Sequence, residues 1–180
     1  MKQISVEIAG ASPLLVHRFP EQEQLEASSG EHSRREAVSD YEAALSCLYL
    51  LDGALPYLPA ENIRQSLIAA AGRHKIGRKA ASSDAAAALY IEPDALPLLG
   101  EWVIDKRPVV IPATRGRIIR VRPRFDHWLL RFVLNVETTL ISLSLVRKIV
   151  DDAGNYVGVG DFRPAKKGPD GRFTVTLWKE

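Results

Sequence analysis

Apolar and polar residues alternate from the start of the chain, and the alternation predicts a strand over Ile4–Ala9. Ser12-Pro13 breaks it, and Leu14–His17 resumes an extended course ending at Arg18. Residues 19–40 lose the pattern: Glu21, Glu23, Glu26, Glu31 and Glu36 surround a Ser28-Ser29-Gly30 break, which reads as a flexible insertion. Ser39-Asp40 predicts the cap of a short helix over Tyr41–Leu45. Leu48–Leu51 and Leu55–Leu58 flank Asp52-Gly53, the signature of a hairpin. Pro59 then opens a helix, because a first turn has no use for the missing N–H and Glu61 suits the positive helix end. Ile63, Leu67, Ala70 and Ala71 supply its apolar face at helical spacing. The helix runs out into Arg73, His74, Lys75, Arg78 and Lys79.

Residues 76–100 are alanine-rich, carry Pro93 and Pro97, and read as a second flexible, irregular insertion. Trp102–Ile104 and Val109–Ile111 look extended. Over Arg117–Phe125 the alternation predicts a strand with Ile119, Val121 and Phe125 on one face and Arg120, Arg122 and Arg124 on the other. Trp128–Val136 is a strong strand signal with Leu130, Phe132, Leu134 and Val136 on one side. Leu140–Val150 is helical in period, with Leu143, Val146 and Val150 inward, and Phe173–Trp178 predicts a closing strand. This order of strands and helices predicts an α+β, ferredoxin-like antiparallel sheet with two helices, as a single domain over residues 1–180.

An apolar fraction of 46% in 180 residues is enough for one packed core. No apolar run reaches membrane-spanning length, and Met1–Glu7 lacks the form of a signal peptide. Cys47, the single cysteine, excludes an internal disulfide and a multi-cysteine zinc site. A cytoplasmic protein with no membrane contact is expected. The net charge of +2 conceals an asymmetry: residues 1–62 carry four Lys/Arg against ten Asp/Glu, and residues 63–180 carry twenty against twelve. Such a division suggests an anionic partner or self-association of unlike surfaces, set against an ordinarily charged surface.

Two basic stretches carry the candidate chemistry. Between positions 106 and 131 stand Lys106, Arg107, Arg115, Arg117, Arg120, Arg122, Arg124 and Arg131, against one acid, Asp126. Arginine suits phosphate because its planar fork donates two bonds at once. Arg120, Arg122 and Arg124 on one strand face would stand about 6.6 Å apart and could track a nucleic-acid backbone without reading its sequence. The alternative is a solvated face or a charge-protected edge strand. The second stretch interleaves Gly154, Gly158, Gly160, Gly168 and Gly171 with Arg163, Lys166, Lys167 and Arg172. It predicts a loop whose backbone amides cradle an anion. Among the nearby aromatics, Phe162 and His127 suit base stacking, whereas Trp128 suits the core.

His17, His32, His74 and His127 show no metal-ligand spacing, so no metal site is expected. Asp105 and Asp151-Asp152 form no carboxylate set for two-metal catalysis. Gly158-Val159-Gly160 lacks the lysine of a phosphate-binding nucleotide loop and the strand of a dinucleotide fold, so no cofactor is expected.

Three segments together resemble one family. They are the first strand leading into Ser12-Pro13-Leu14-Leu15, the helix start Tyr57-Leu58-Pro59-Ala60-Glu61-Asn62-Ile63-Arg64, and Gly158-Val159-Gly160 through Gly171-Arg172-Phe173 before the last strand. In these the chain is similar to the RAMP superfamily, the RNA-binding proteins of CRISPR effector complexes in antiviral defence, and most of all to their backbone subunits. It also resembles small phage-encoded proteins. Asp161-Phe162-Arg163-Pro164 interrupts the glycines, unlike the commonest family loop. The resemblance implies a modified RRM-type fold with an inserted thumb. It further implies a non-catalytic protein that assembles head-to-tail into a helical oligomer along single-stranded RNA or DNA, alone or with other effector-complex subunits. The expected nucleic-acid contacts are Arg18, Arg64, Arg73, Lys75, Arg78, Lys79, Arg115, Arg117, Arg120, Arg122, Arg124, Phe162, Arg163, Lys166, Lys167 and Arg172, of which the resemblance itself implies Arg64 and the loop cations from Arg163 to Arg172. Two alternatives stand beside it: a metal-independent RNA endonuclease using His17 or His74, and a phage structural, assembly or single-stranded-DNA-binding protein.

Overall fold

A computed structural model describes residues 1–18, 39–110 and 116–180. In chain order its elements are β1 (Lys2–Gly10), β2 (Leu14–Leu15), α1 (Asp40–Ser46), β3 (Tyr49–Leu51), β4 (Leu55–Pro59), α2 (Ala60–Ala71), β5 (Lys75–Ile76), β6 (Lys79–Ala80), α3 (Ser82–Ala88), β7 (Leu89–Glu92), β8 (Ala95–Pro97), β9 (Trp102–Val110), β10 (Arg117–Phe125), β11 (Leu129–Val136), α4 (Leu143–Asp152) and β12 (Phe173–Lys179). The insertion expected over 19–40 lies outside the described residues up to position 38, and so does Arg115.

Alternation in β1 buries Ile4, Val6 and Ile8 on one face. β1 pairs antiparallel with β11, Ile4 opposite Leu134 and Val6 opposite Phe132. On its other side it pairs antiparallel with β12, and β7 pairs antiparallel with β11, giving the order β12-β1-β11-β7. The β1–β12 register shifts between Glu7 and Ile8. A bulge of this kind changes which face later side chains take, and both Val175 and Trp178 pack against the core.

The apolar stripes of α2 and α4 join this sheet in one core: Ile63, Leu67, Ala70 and Ala71 from the first, Val146, Ile149 and Val150 from the second. The Ser142 hydroxyl caps α4 by accepting the Leu145 amide at 3.4 Å. In the same way Ser39 and Glu42 form a capping box on α1. The Asp52-Gly53 hairpin forms as expected, with φ of 48° and 73° at those residues and a third strand, β8, added to β3 and β4.

Two expectations are corrected. Residues 76–100 are not an irregular insert, because they contain α3 and the edge strand β7 and bury Ala81, Ala85, Ala88, Leu89, Ile91, Leu96 and Leu98. The alanines that blur the hydrophobic pattern are what let α3 pack closely on α2. The second correction concerns β10, which pairs with β9 along its whole length and with Leu14-Leu15 of β2 at its end. Arg122 is 3% exposed and Ile119 is 65% exposed, against the expectation for both, whereas Phe125, expected on the same face as Ile119, is buried. Carboxylates wait beneath Arg122, whereas no layer of the described residues covers Ile119. The protein is thus α+β and built on antiparallel sheets. Among the described residues no helix is long and apolar enough to cross a membrane.

Candidate nucleic-acid interface

The glycine-rich segment folds back onto β2 rather than opening toward a ligand. The Asp161 amide donates to Leu15 O at 2.8 Å and the Gly171 amide to Pro13 O at 2.7 Å. Val159 donates to Gly171 O at 2.9 Å, Gly168 to Arg163 O at 3.1 Å and Asp170 to Phe162 O at 3.2 Å. These amides are satisfied internally, so the expected backbone anion cradle does not form from them. The glycines serve close docking instead. At Gly160, φ is +74° and a Cβ would lie 2.5 Å from both Leu15 O and Leu14 Cδ1. What the loop offers a partner is its side chains.

Those side chains form one wall of a cleft of about 260 Å³. The loop contributes Gly160, Asp161, Arg163 and Lys166, and the first turns of α2 contribute Asn62 and Gln65. Val16, His17 and Tyr49 also line it, with Leu58 and Val159. The Ser66 hydroxyl donates to Gly158 O at 2.9 Å and ties helix to loop at the buried end. Arg163 turns back to Gly160 O at 2.8 Å, and Gln65 donates to Glu61 at 2.6 Å. Lys166 is exposed and has no ion-pair partner among the described residues.

His17 sits in this cleft with its Nδ1 3.5 Å from Cys47 Sγ. Burial holds its pKa below the ordinary 6.5; the positive charges of Arg120 and Arg122 act in the same direction and Asp161 opposes them. The imidazole is therefore neutral at pH 7. Burial also pushes the Cys47 thiol up, so it is not a thiolate nucleophile. His74 has a different setting, 3.0 Å from Asp152 and away from the cleft lining.

Beneath the loop lies a charge cluster that neutralises much of the arginine stripe. Arg122 hydrogen-bonds Asp161 and lies 3.6 Å from Asp105, which is 5% exposed. Arg107 donates to Asp105 through Nε at 3.0 Å, and Arg124 donates to Asp126 at 3.2 Å. Burial raises the Asp161 pKa, but the Arg122 hydrogen bond and charge outweigh it and hold the carboxyl below its ordinary range. Burial pushes Asp170 the other way, upward, against the opposing charge of Arg107. Arg122 and Arg124 are accordingly bound to carboxylates, and of the stripe only half-buried Arg120 lacks an ion pair among the described residues.

The other expected contacts divide by place. Arg64 faces away from the cleft: it donates to Leu89 O at 3.1 Å and Ala86 O at 2.5 Å and staples α2 to α3 and the start of β7. Arg73, Lys75, Arg78 and Lys79 are exposed at and beyond the far end of α2. Arg117, Lys167 and Arg172 are exposed, and Arg172 hydrogen-bonds Asn155 O. Phe162 is 40% exposed, whereas Trp128 is core and donates its indole N–H to Ser12 O at 2.9 Å. The Arg18 amide donates to Cys47 O at 2.8 Å, which anchors the chain beside His17.

Sequence reasoning missed Tyr49, Asn62 and Gln65 as cleft residues. Asn62 and Gln65 stand three apart on the polar side of a helix whose apolar side was legible, but uncharged amides carry no compositional signal. Among the described residues no group of three or more His, Cys, Asp or Glu is placed to hold a metal ion. No protein-family model matches the chain. No curated protein matches its sequence.

Proposed function

We propose that this protein binds single-stranded nucleic acid, RNA foremost, in the cleft between the glycine-rich loop and α2, without catalysing a reaction on it. The cleft carries the reading: cationic Lys166 and Arg163 line it together with the side-chain amides of Asn62 and Gln65 and the ring of Tyr49. Cations hold phosphates irrespective of sequence, while amides and aromatic rings suit unpaired bases.

The order β12-β1-β11-β7, with α2 between β1 and β7 and α4 between β11 and β12, fits a ferredoxin-like βαββαβ plan. The β9–β10 ribbon takes the place of an inserted thumb. This arrangement supports kinship with the RAMP superfamily and a backbone role in a cytoplasmic CRISPR effector complex. Exposed Val110, Ile118 and Ile119 on that ribbon support contact between copies, and head-to-tail contacts that do not close give filaments.

Fluorescence anisotropy with labelled strands of roughly 30–40 nucleotides, titrated across salt, tests the reading. Several held phosphates give a steep slope, and Lys166→Ala lowers it by about 0.7 for a single strand. A flat slope sinks the proposal. One observation favours a second reading, metal-independent RNA cleavage: His17 is neutral and lines the cleft. Cleavage in the presence of chelator that His17→Ala abolishes, and His74→Ala does not, would establish it.

A further inference from the structure

The cleft occupies only the first half of one face of α2. Asn62, Gln65 and Ala69 recur at intervals of three and four and so share that face, and Arg73 follows just past the end of the helix at Ala71. Ala69 and Gly72 are exposed and too small to obstruct a path along it. From Asn62 to its end at Ala71 the helix advances about 14 Å, the reach of a few nucleotides.

At the far end the composition of the surface changes. Tyr156 lies in the π-helical turn Ala153–Val157 that extends α4, and it is 53% exposed. The Arg73 guanidinium sits 4.5 Å from the centre of its ring. Arg172 hydrogen-bonds the carbonyl of Asn155, the residue before Tyr156. The β5–β6 hairpin follows Arg73 directly and presents Lys75, Arg78 and Lys79, all exposed and without ion pairs among the described residues. The carboxylate at this end, Asp152, is 3.0 Å from His74 and 3.9 Å from Arg73. An exposed aromatic ring topped by a guanidinium, with unpaired cations on the hairpin that follows, is a surface for a base with its flanking phosphates.

We propose that Tyr156 and Arg73 form a base-stacking platform where a single strand leaves the cleft, with Lys75, Arg78 and Lys79 holding the phosphates beyond it. The proposal rests on the cleft being a single-strand groove. A base stacks on the outer face of the guanidinium or on the free part of the ring, and the strand turns onto the hairpin.

The test uses the full chain and a labelled 12-nucleotide RNA, measured by anisotropy. Tyr156→Ala weakens binding roughly 5- to 100-fold, as expected for loss of one stacked base, and Tyr156→Phe restores it. In the unaltered protein, an abasic site moved along the RNA shows one position with a loss of the same size, and that position has no effect in Tyr156→Ala. Affinity that is unchanged in Tyr156→Ala, or an abasic scan that is flat, overturns the platform. If Lys166→Ala weakens binding while Tyr156→Ala does not, the groove stands and the platform falls. If no RNA binds the unaltered protein, both fall. Because the abasic scan needs no variant, misfolding of Tyr156→Ala would not shield the proposal.

Discussion

The guanidinium of Arg122, buried at the body end of β10, donates to the carboxylate of Asp161 in the glycine-rich loop, 39 residues later. This pair fastens the loop to the ribbon from below while backbone hydrogen bonds to Pro13 and Leu15 fasten it from the side. The loop side chains that line the cleft are therefore held on a braced support.

Removing one member of a buried pair leaves the other charge uncompensated. Arg122→Ala is expected to destabilise the protein by about 3 kcal/mol, because Asp161 loses its ion-pair partner and Asp105 is left to Arg107 and Arg124. Arg117→Ala, at an exposed position, stays within about 0.5 kcal/mol. Urea unfolding of the two variants checks the difference, and equal midpoints would contradict the buried role.

Gly160 combines φ of +74° with a backbone oxygen where its Cβ would go. Gly160→Ala should cost about 1–3 kcal/mol and unseat the loop from β2. Amide exchange reads this directly: the Asp161 and Gly171 amides lose protection while those of β1 and β11 keep it.

Arg64 lies in the first turns of α2, next to cleft residues Asn62 and Gln65, yet it bonds two backbone carbonyls. Arg64→Ala is expected to lower stability by about 2 kcal/mol, given the strength of charge-assisted hydrogen bonds. It should leave the salt slope of binding unchanged in protein that remains folded. A slope reduced as much as in Lys166→Ala would return Arg64 to the binding surface.

The lowered pKa of His17 makes stability depend on pH in one direction. As pH falls below 6.5, the unfolded chain accepts a proton on His17 that the folded chain resists. Stability is complete above 6.5 and declines as pH falls toward the lower folded value. His17→Gln removes this step, so its unfolding midpoint should change less between pH 7.5 and 5.5, both about one unit from the ordinary value. Parallel changes in the two proteins would show that His17 is not held neutral. Asp161 contributes only at lower pH, through and below its ordinary 3.8.

The sheet and its helices were legible because their signals are local. Ile4, Val6 and Ile8 alternate, and Ile63, Leu67, Ala70 and Ala71 recur at helical period, so burial of each face follows from a few adjacent residues. The Asp52-Gly53 turn and the Ser39 cap are equally local. Alternation also located β10 but did not foresee that Arg122 is buried and Ile119 exposed. Which face is buried depends on Asp105 of β9 and on Asp161 and Asp170 of the glycine-rich loop, carboxylates that meet only when the loop closes over the ribbon. The glycine-rich segment was recognisable as a special loop from composition alone. Whether its amides face a ligand or its own chain was decided by β2, which supplies Pro13 O and Leu15 O as acceptors. Periodicity reports the backbone conformation of a segment. The pairing of charges and the filling of hydrogen bonds depend on what the chain brings back from far along its length, and only the tertiary structure settles that.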